Sequence, residues 1–361
     1  MIDARIKKHA ELLVKYSIEA RQGETVVVSG TSAAEPLFVH LYEAILKAGA
    51  YPLLRMAPES TSRIYFTAGQ KHHYVSLPGY QLALARSVDK YISIHSSVDT
   101  RGLSGVAPWK QAAAVKAVSP VNEIMRRKAG VITLFPTIGY ARDASMTLED
   151  FQDYVYRAMF LDEEDPVACW KRLRKAQEKL ISKLKGAEKI RIVGKGTDLS
   201  LSVKGRHFVN SDGKRNMPSG EIYAAPVEGS VEGVITFDYP VCTAGREIDG
   251  VRLVFRKGRA VEATATKNEA YLKAMLDMDK GARVPGELGI GTNPRINRFI
   301  KQILYDEKIG GTIHLALGRS ILESKGKNKS AIHWDMIKDL RRGGAIYVDG
   351  RPFQVEGRFV V

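Results

Sequence analysis

The chain has 361 residues, too many for one ordinary hydrophobic core and enough for two domains of common size. Its 44% apolar and 26% charged residues are the balance of a folded globular protein and exclude an intrinsically disordered one. The net charge of +15 is spread along the sequence, with Lys325–Lys329 as its longest basic block, so no specific nucleic-acid partner is expected.

Apolar stretches such as Ala112–Val115 are short beside the roughly 20 residues that cross a bilayer. The opening Met1-Ile-Asp-Ala-Arg-Ile-Lys-Lys lacks the apolar segment and cleavage site of an export signal. A cytoplasmic protein with no membrane partner is therefore expected. Cys169 and Cys242 lie far apart, which excludes a disulfide scaffold and a thiolate zinc site. Each reads as a buried, inert thiol.

In chain order, Ala4–Gln22 carries Ile6, Ala10, Leu13, Tyr16 and Ile18 at helical spacing before Gly23 stops it. Thr25-Val-Val-Val-Ser-Gly is an apolar run of the buried parallel-strand type. Ala33–Ala48 predicts a helix, and Tyr51–Met56, Lys90–His95 and Gly130–Phe135 predict further strands. Strands alternating with helices imply an α/β fold with a mostly parallel sheet and helices on both faces. No glycine-rich nucleotide motif accompanies them. Ser145–Phe160 and Pro166–Lys185 predict charged helices, and beyond Ala187 the pattern changes to short strands, glycines and turns. The expected division is a domain over 1–186 and a mixed α/β domain over 187–361.

Of eight histidines, His9, His40, His72, His73 and His207 have ordinary structural explanations, and His95 ends an apolar strand, where parallel sheets bind ligands. His314 and His333 differ. Gly310–Gly318 alternates, so Ile313, Leu315 and Leu317 share one face while Thr312, His314 and Ala316 share the other. In Ser330-Ala-Ile-His-Trp-Asp335, His333 and Asp335 face the same way if extended. Such a pair can bind a divalent ion, and equally forms a plain hydrogen bond. Asn216-Met-Pro-Ser-Gly-Glu221 sets a carboxylate after a turn and before an apolar strand. Pro285-Gly-Glu-Leu-Gly-Ile-Gly-Thr-Asn293 reads as a glycine-rich loop opening a helix, with Glu287 in it. Singly, either glutamate fits an exposed turn. Together the three carboxylates and two imidazoles suit two divalent ions clamping a water.

These four segments, in this order, with Asp306-Glu-Lys-Ile-Gly-Gly-Thr leading into His314, resemble the signature of the aminopeptidase T family of metallo-exopeptidases, which includes the similar aminopeptidase S. Thr197-Asp-Leu, Gly205-Arg, Pro226-Val-Glu-Gly-Ser and Asp165-Pro-Val-Ala-Cys-Trp170 add to the likeness, which is strongest from about residue 140 onward. The resemblance implies a Rossmann-like first domain, a metal-bearing second domain and a homodimer. It also implies that Glu221, Glu287, His314, His333 and Asp335 bind two divalent cations, with peptides bearing a free N-terminus as substrates. Zinc, cobalt, manganese, magnesium and iron all accept such donors. Glu221 or Glu287 is the general-base candidate.

One position departs from the family. Its peptidases place a tyrosine seven residues after the first site histidine, and here that position is Ile321, which can neither bind a metal nor donate a hydrogen bond. Tyr223 and Tyr305 are candidate substitutes. The alternatives are a mononuclear Fe(II) ring-cleaving dioxygenase using His314, His333 and Asp335, and a metal-binding protein with impaired catalysis.

Overall fold

A computed structural model describes residues 3–243 and 246–361 of the chain. The contacts fall into two compact units, Met1–Trp170 with Gly213–Pro218, and Lys171–Asp212 with Ser219–Val361. The chain thus changes unit inside the helix Pro166–Lys183, ahead of the composition shift near 187. It returns for Gly213–Pro218 because Asn216–Met217 pairs with Ala129–Leu134, and a two-residue strand leaves no periodicity to read.

The first unit holds a five-stranded sheet ordered Tyr51–Ala57, Thr25–Thr31, Lys90–His95, Ala129–Leu134 and Asn216–Met217. Every pairing is parallel, as the apolar runs predict. Val26, Val27 and Val28 are buried. Parallel neighbours need crossover connections, and helices such as Glu35–Lys47 supply them. His9 is a core residue on the helix Ala4–Leu12, with Nε2 2.8 Å from Thr133 Oγ1. That hydroxyl donates to Met217 O, so it accepts from the ring, and burial depresses the His9 pKa to about 3. The imidazole stays neutral.

The second unit carries two large antiparallel sheets and a two-stranded one, Val241–Thr243 with Arg246–Ile248. An eight-stranded one runs Arg259–Thr264, Arg252–Arg256, Glu232–Thr236, Thr197–Ser202, Lys189–Gly194, Ala345–Val348, Arg351–Val355 and Arg358–Phe359. A five-stranded one runs His333–Asp339, Thr312–Gly318, Pro285–Gly291, Glu221–Ala224 and Val209–Ser211. Ile190, Ile192, Leu199, Leu253 and Phe255 from the first meet Ile222, Leu288, Ile290, Ile313, Leu315 and Leu317 from the second in one core. Cys169 is buried as expected, but Cys242 is exposed, because it points outward from the short strand Val241–Thr243. No helix among the described residues is long and apolar enough to cross a membrane.

Candidate metal centre

The site occupies one face of the five-stranded sheet. Side chains alternate across a strand, so sending Leu288, Ile290, Ile313, Leu315 and Leu317 into the core leaves Glu287, Gly289, His314 and Ala316 on the opposite face. Register then aligns the donors. Gly289 sits opposite both Tyr223 and His314, Ala316 opposite both Glu287 and Asp335, Gly318 opposite His333, and Gly291 opposite Glu221. Small residues thus floor the centre between the donors.

The segment Pro285–Gly291 is a strand buried along its length, not the loop before a helix that its glycines suggest. The glycines are there for close approach. A Cβ on Gly289 would lie 2.0 Å from His314 Cε1, and one on Gly286 would lie 2.4 Å from Gly318 O. Glu221 begins its own strand after Gly220, whose φ of +112° and packing against Asn293 admit no side chain. Gln177 Nε2 donates to Glu221 O at 2.5 Å and fixes the backbone there.

All five expected donors converge. His314 Nε2 lies 3.2 Å from Glu287 Oε1, 3.6 Å from Glu221 Oε2 and 3.9 Å from Asp335 Oδ1. His333 Nε2 lies 3.5 Å from Asp335 Oδ1 and 3.7 Å from Glu287 Oε2. Both rings are held from behind. His314 Nδ1 donates to Glu307 O at 3.0 Å and His333 Nδ1 to Arg319 O at 2.7 Å. A carbonyl only accepts, so each Nδ1 carries a proton and each Nε2 is turned toward the carboxylates, protonated in the metal-free protein and able to give up that proton to a cation. This is the anchoring that orients histidine ligands of metals.

Two further charged groups join the cluster. Glu307, His314 and Asp335 bring ligand atoms within 4.8 Å of one another. Lys308 is fully buried, pairs with Glu307, and places Nζ 3.8 Å from Glu221 Oε1. Sequence reasoning gave neither a role, although both lie in the segment Asp306-Glu-Lys-Ile-Gly-Gly-Thr that carries the family resemblance.

Four carboxylates share this space with one ammonium. Burial pushes the Glu221 and Glu287 carboxyls up, only partly opposed by Lys308 and His314. Burial also disfavours charge on the imidazoles, yet the surrounding carboxylates outweigh it and raise His314 and His333 to about 10. Asp335, beside both rings, is held below the usual carboxylate range despite its burial. Lys308 stays an ammonium for the same reason. The cluster therefore demands positive charge. Glu221 Oε2, Glu287 Oε2 and Asp335 Oδ1 are buried without a hydrogen bond, and their imidazole charge partners stand 3.5–3.7 Å away, room that a cation would fill. Hard carboxylate oxygens with two imidazole nitrogens fit divalent cations.

Of the positions considered for the missing tyrosine, Tyr223 is half-buried on the strand Glu221–Ala224, opposite Gly289. Tyr305 is buried on the short helix Ile303–Asp306. Ile321 is half-buried and precedes the turn Leu322–Ser324.

Comparison with known proteins bears on the family and the fold. The profile of the family described as thermophilic metalloprotease (M29) matches residues 2–355. Aminopeptidase T of Thermus thermophilus is 28% identical over a 403-residue alignment covering 99% of this chain and 98% of that one. Aminopeptidase PepS of Streptococcus thermophilus is 24% identical over 382 residues, covering 92% and 91%. Among solved structures, wild-type AmpT from Thermus thermophilus superposes with a TM-score of 0.86 at 23% identity, covering 99% of both chains. A 2,5-dihydroxypyridine dioxygenase from Pseudomonas putida KT2440 gives 0.58 at 18% identity, covering 99% and 97%. Both superpositions speak to the fold.

Proposed function

Since the chain belongs to the thermophilic metalloprotease family (M29) and is a metal-dependent aminopeptidase, we propose that Glu221, Glu287, His314, His333 and Asp335 hold two divalent cations in removing N-terminal residues from peptides. The observation that carries this reading is the convergence of three buried carboxylate oxygens that make no hydrogen bond on two backbone-anchored imidazoles. Bound cations supply a water of lowered pKa and a Lewis acid for the scissile carbonyl. Glu221 or Glu287, through the Oε2 that makes no hydrogen bond, accepts the proton of the attacking water and delivers it to the leaving amine. The excess of carboxylates gives the free α-amino group of a peptide its counter-charge. Lys308 holds Glu221 Oε1 from the other side. Zinc, cobalt, manganese and magnesium all suit this donor set. Family likeness supports a homodimer.

The mononuclear oxygenase reading gains nothing from the geometry. His314, His333 and Asp335 lie within a cluster that also holds Glu221, Glu287 and Glu307, more carboxylate than one Fe(II) requires. The deciding experiment loads chelator-stripped protein with each metal, then follows leucyl-p-nitroanilide hydrolysis and oxygen uptake on 2,5-dihydroxypyridine. Cation-dependent release of nitroaniline without oxygen uptake is expected. Oxygen uptake without hydrolysis overturns the reading, and a titration saturating at one ion per chain overturns the paired cations.

A further inference from the structure

A buried lysine stands among the donors, and the proposed reaction gives its charge no role beyond holding Glu221. Lys308 follows the short helix Ile303–Asp306, and its side chain is fully buried. Its Nζ pairs with Glu307 and lies 3.8 Å from Glu221 Oε1. Lysines are almost never buried without partners, and here the partners belong to the donor cluster itself.

Its position is one-sided. The strand Thr312–Gly318 orders the donors along its length. His314 is near its start, Ala316 lies opposite Glu287 and Asp335, and Gly318 lies opposite His333. Glu221 is aligned with Gly291, toward the other end of the neighbouring strand from Glu287. Lys308 therefore touches the Glu221 end of the cluster, whereas the described ion pairs of Glu287 and Asp335 are with the two histidines.

The field of the ammonium has the same slope. Burial opposes charge on all three carboxyls. Lys308 is the foremost attraction offsetting it at Glu221 and ranks behind both histidines at Asp335, and at Glu287 the attraction comes from His314 and His333. Imidazole and ammonium also differ in what they become when a cation arrives. A histidine relieved of its Nε2 proton turns from competitor into ligand. An ammonium has three donors and no lone pair, so it remains a positive charge beside whatever binds.

We propose that Lys308 is a fixed positive charge that makes the two cation positions unequal: the one at Glu287, His333 and Asp335 binds tightly, and the one beside Glu221 binds weakly and exchanges with free metal. The proposal rests on the paired-cation reading, and it makes the fully loaded form depend on how much cation is available. Like charges about 4–6 Å apart at an effective dielectric of about 20 lower a binding constant by a factor of about a hundred or more.

The test withdraws cobalt(II) from the fully loaded protein with a chromophoric chelator, so each variant enters the titration with its cations in place. The wild type should release two ions in steps about a hundredfold apart or more. Lys308→Met should tighten the weaker step by about that factor and leave the tighter one within about threefold. Melting temperature read against free cobalt should rise in two stages in the wild type and in one in Lys308→Met. If Lys308→Met precipitates, Lys308→Gln, which keeps a donor for Glu307, reads the same steps. Two coincident steps in the wild type overturn the proposal. A variant whose weaker step stays where it was also overturns it, since the cations' mutual repulsion is then the cause, and so does one whose two steps tighten equally. One ion per chain in both wild type and variant overturns the paired-cation reading itself. One ion in the wild type and two in Lys308→Met overturns that reading too, but upholds the lysine as the charge that keeps the second ion out.

Discussion

Gly289→Ala adds one methyl group at the floor of the donor cluster, and its consequences follow from the coordinates. The new Cβ would stand 2.0 Å from His314 Cε1, 2.2 Å from Nε2 and 2.7 Å from Nδ1. Carbon atoms rest about 3.5–4.0 Å apart, so the ring has to retreat by roughly 1.5 Å. Retreat pulls Nδ1 off Glu307 O and withdraws Nε2 from Glu221 and Glu287. The backbone itself raises no objection, since Gly289 lies in an ordinary strand without a positive φ. The fold should therefore survive with about 1–3 kcal/mol of overpacking. A misplacement of about 1 Å at a reacting centre costs roughly a hundredfold in rate. We expect kcat/KM on leucyl-p-nitroanilide to fall by about that factor or more, with weakened cation affinity in a chelator competition. Gly79→Ala, where nothing lies within 4 Å, is the control and should behave as wild type. A folded Gly289→Ala protein with unchanged cation affinity and turnover would refute the placement of His314 against Gly289, or its role as a ligand.

Four further outcomes are expected. Glu287→Gln keeps the volume of a side chain buried mid-strand, so it should fold but lose turnover and bind cations at least about 10–100-fold more weakly, the loss known for merely supporting residues; full activity after metal repletion removes Glu287 from the site. Lys308→Met leaves Glu307 and Glu221 without their ammonium and should cost the chelated protein about 3–5 kcal/mol in urea unfolding, as broken buried pairs do; a change below about 1 kcal/mol contradicts the pairing. In the metal-free protein His314 and His333 keep their protons to about pH 10 against an ordinary 6.5, so their stabilisation is complete below 6.5 and is lost as pH rises to 10. The raised Glu221 and Glu287 act in the same direction, so the melting temperature in chelator should fall with rising pH and added cation should flatten the fall; a flat chelator profile counts against the charge assignment. Ile321→Tyr should raise kcat about tenfold with little change in KM if a hydroxyl there assists cleavage, since one well-placed donor is worth roughly 3 kcal/mol elsewhere; unchanged turnover in the folded, loaded variant shows that the hydroxyl is not the missing part.

The parallel sheet was legible because Thr25–Gly30 and Lys90–His95 are apolar runs bounded by polar loops, and period alone reports such strands. The His314 face was legible because leucine and isoleucine alternate with small residues. Glu287 was found but misplaced, since the three glycines in Pro285–Gly291 resemble a flexible loop. They are empty positions for the His314 ring and for the carbonyls of Gly318 and Ile309, which belong to distant sequence. Lys308 and Glu307 escaped for the complementary reason. Burial of a lysine depends on which carboxylates the fold brings to it, and nothing within Asp306-Glu-Lys states that.

The strands that carry the donors have no indifferent side. One face of Pro285–Gly291 and of Thr312–Gly318 is core and the other is the cluster of carboxylates and imidazoles. A slip of one residue would turn Leu288 toward the carboxylates and drive Glu287 into the cluster of leucines and isoleucines behind it. Burying an unpaired carboxylate among alkyl groups is so unfavourable that the slipped pairing is rejected during folding. The charges that strain the metal-free protein thus also proofread the alignment of its sheet. Insertions and deletions of single residues should be absent from these strands and confined to the turns between them.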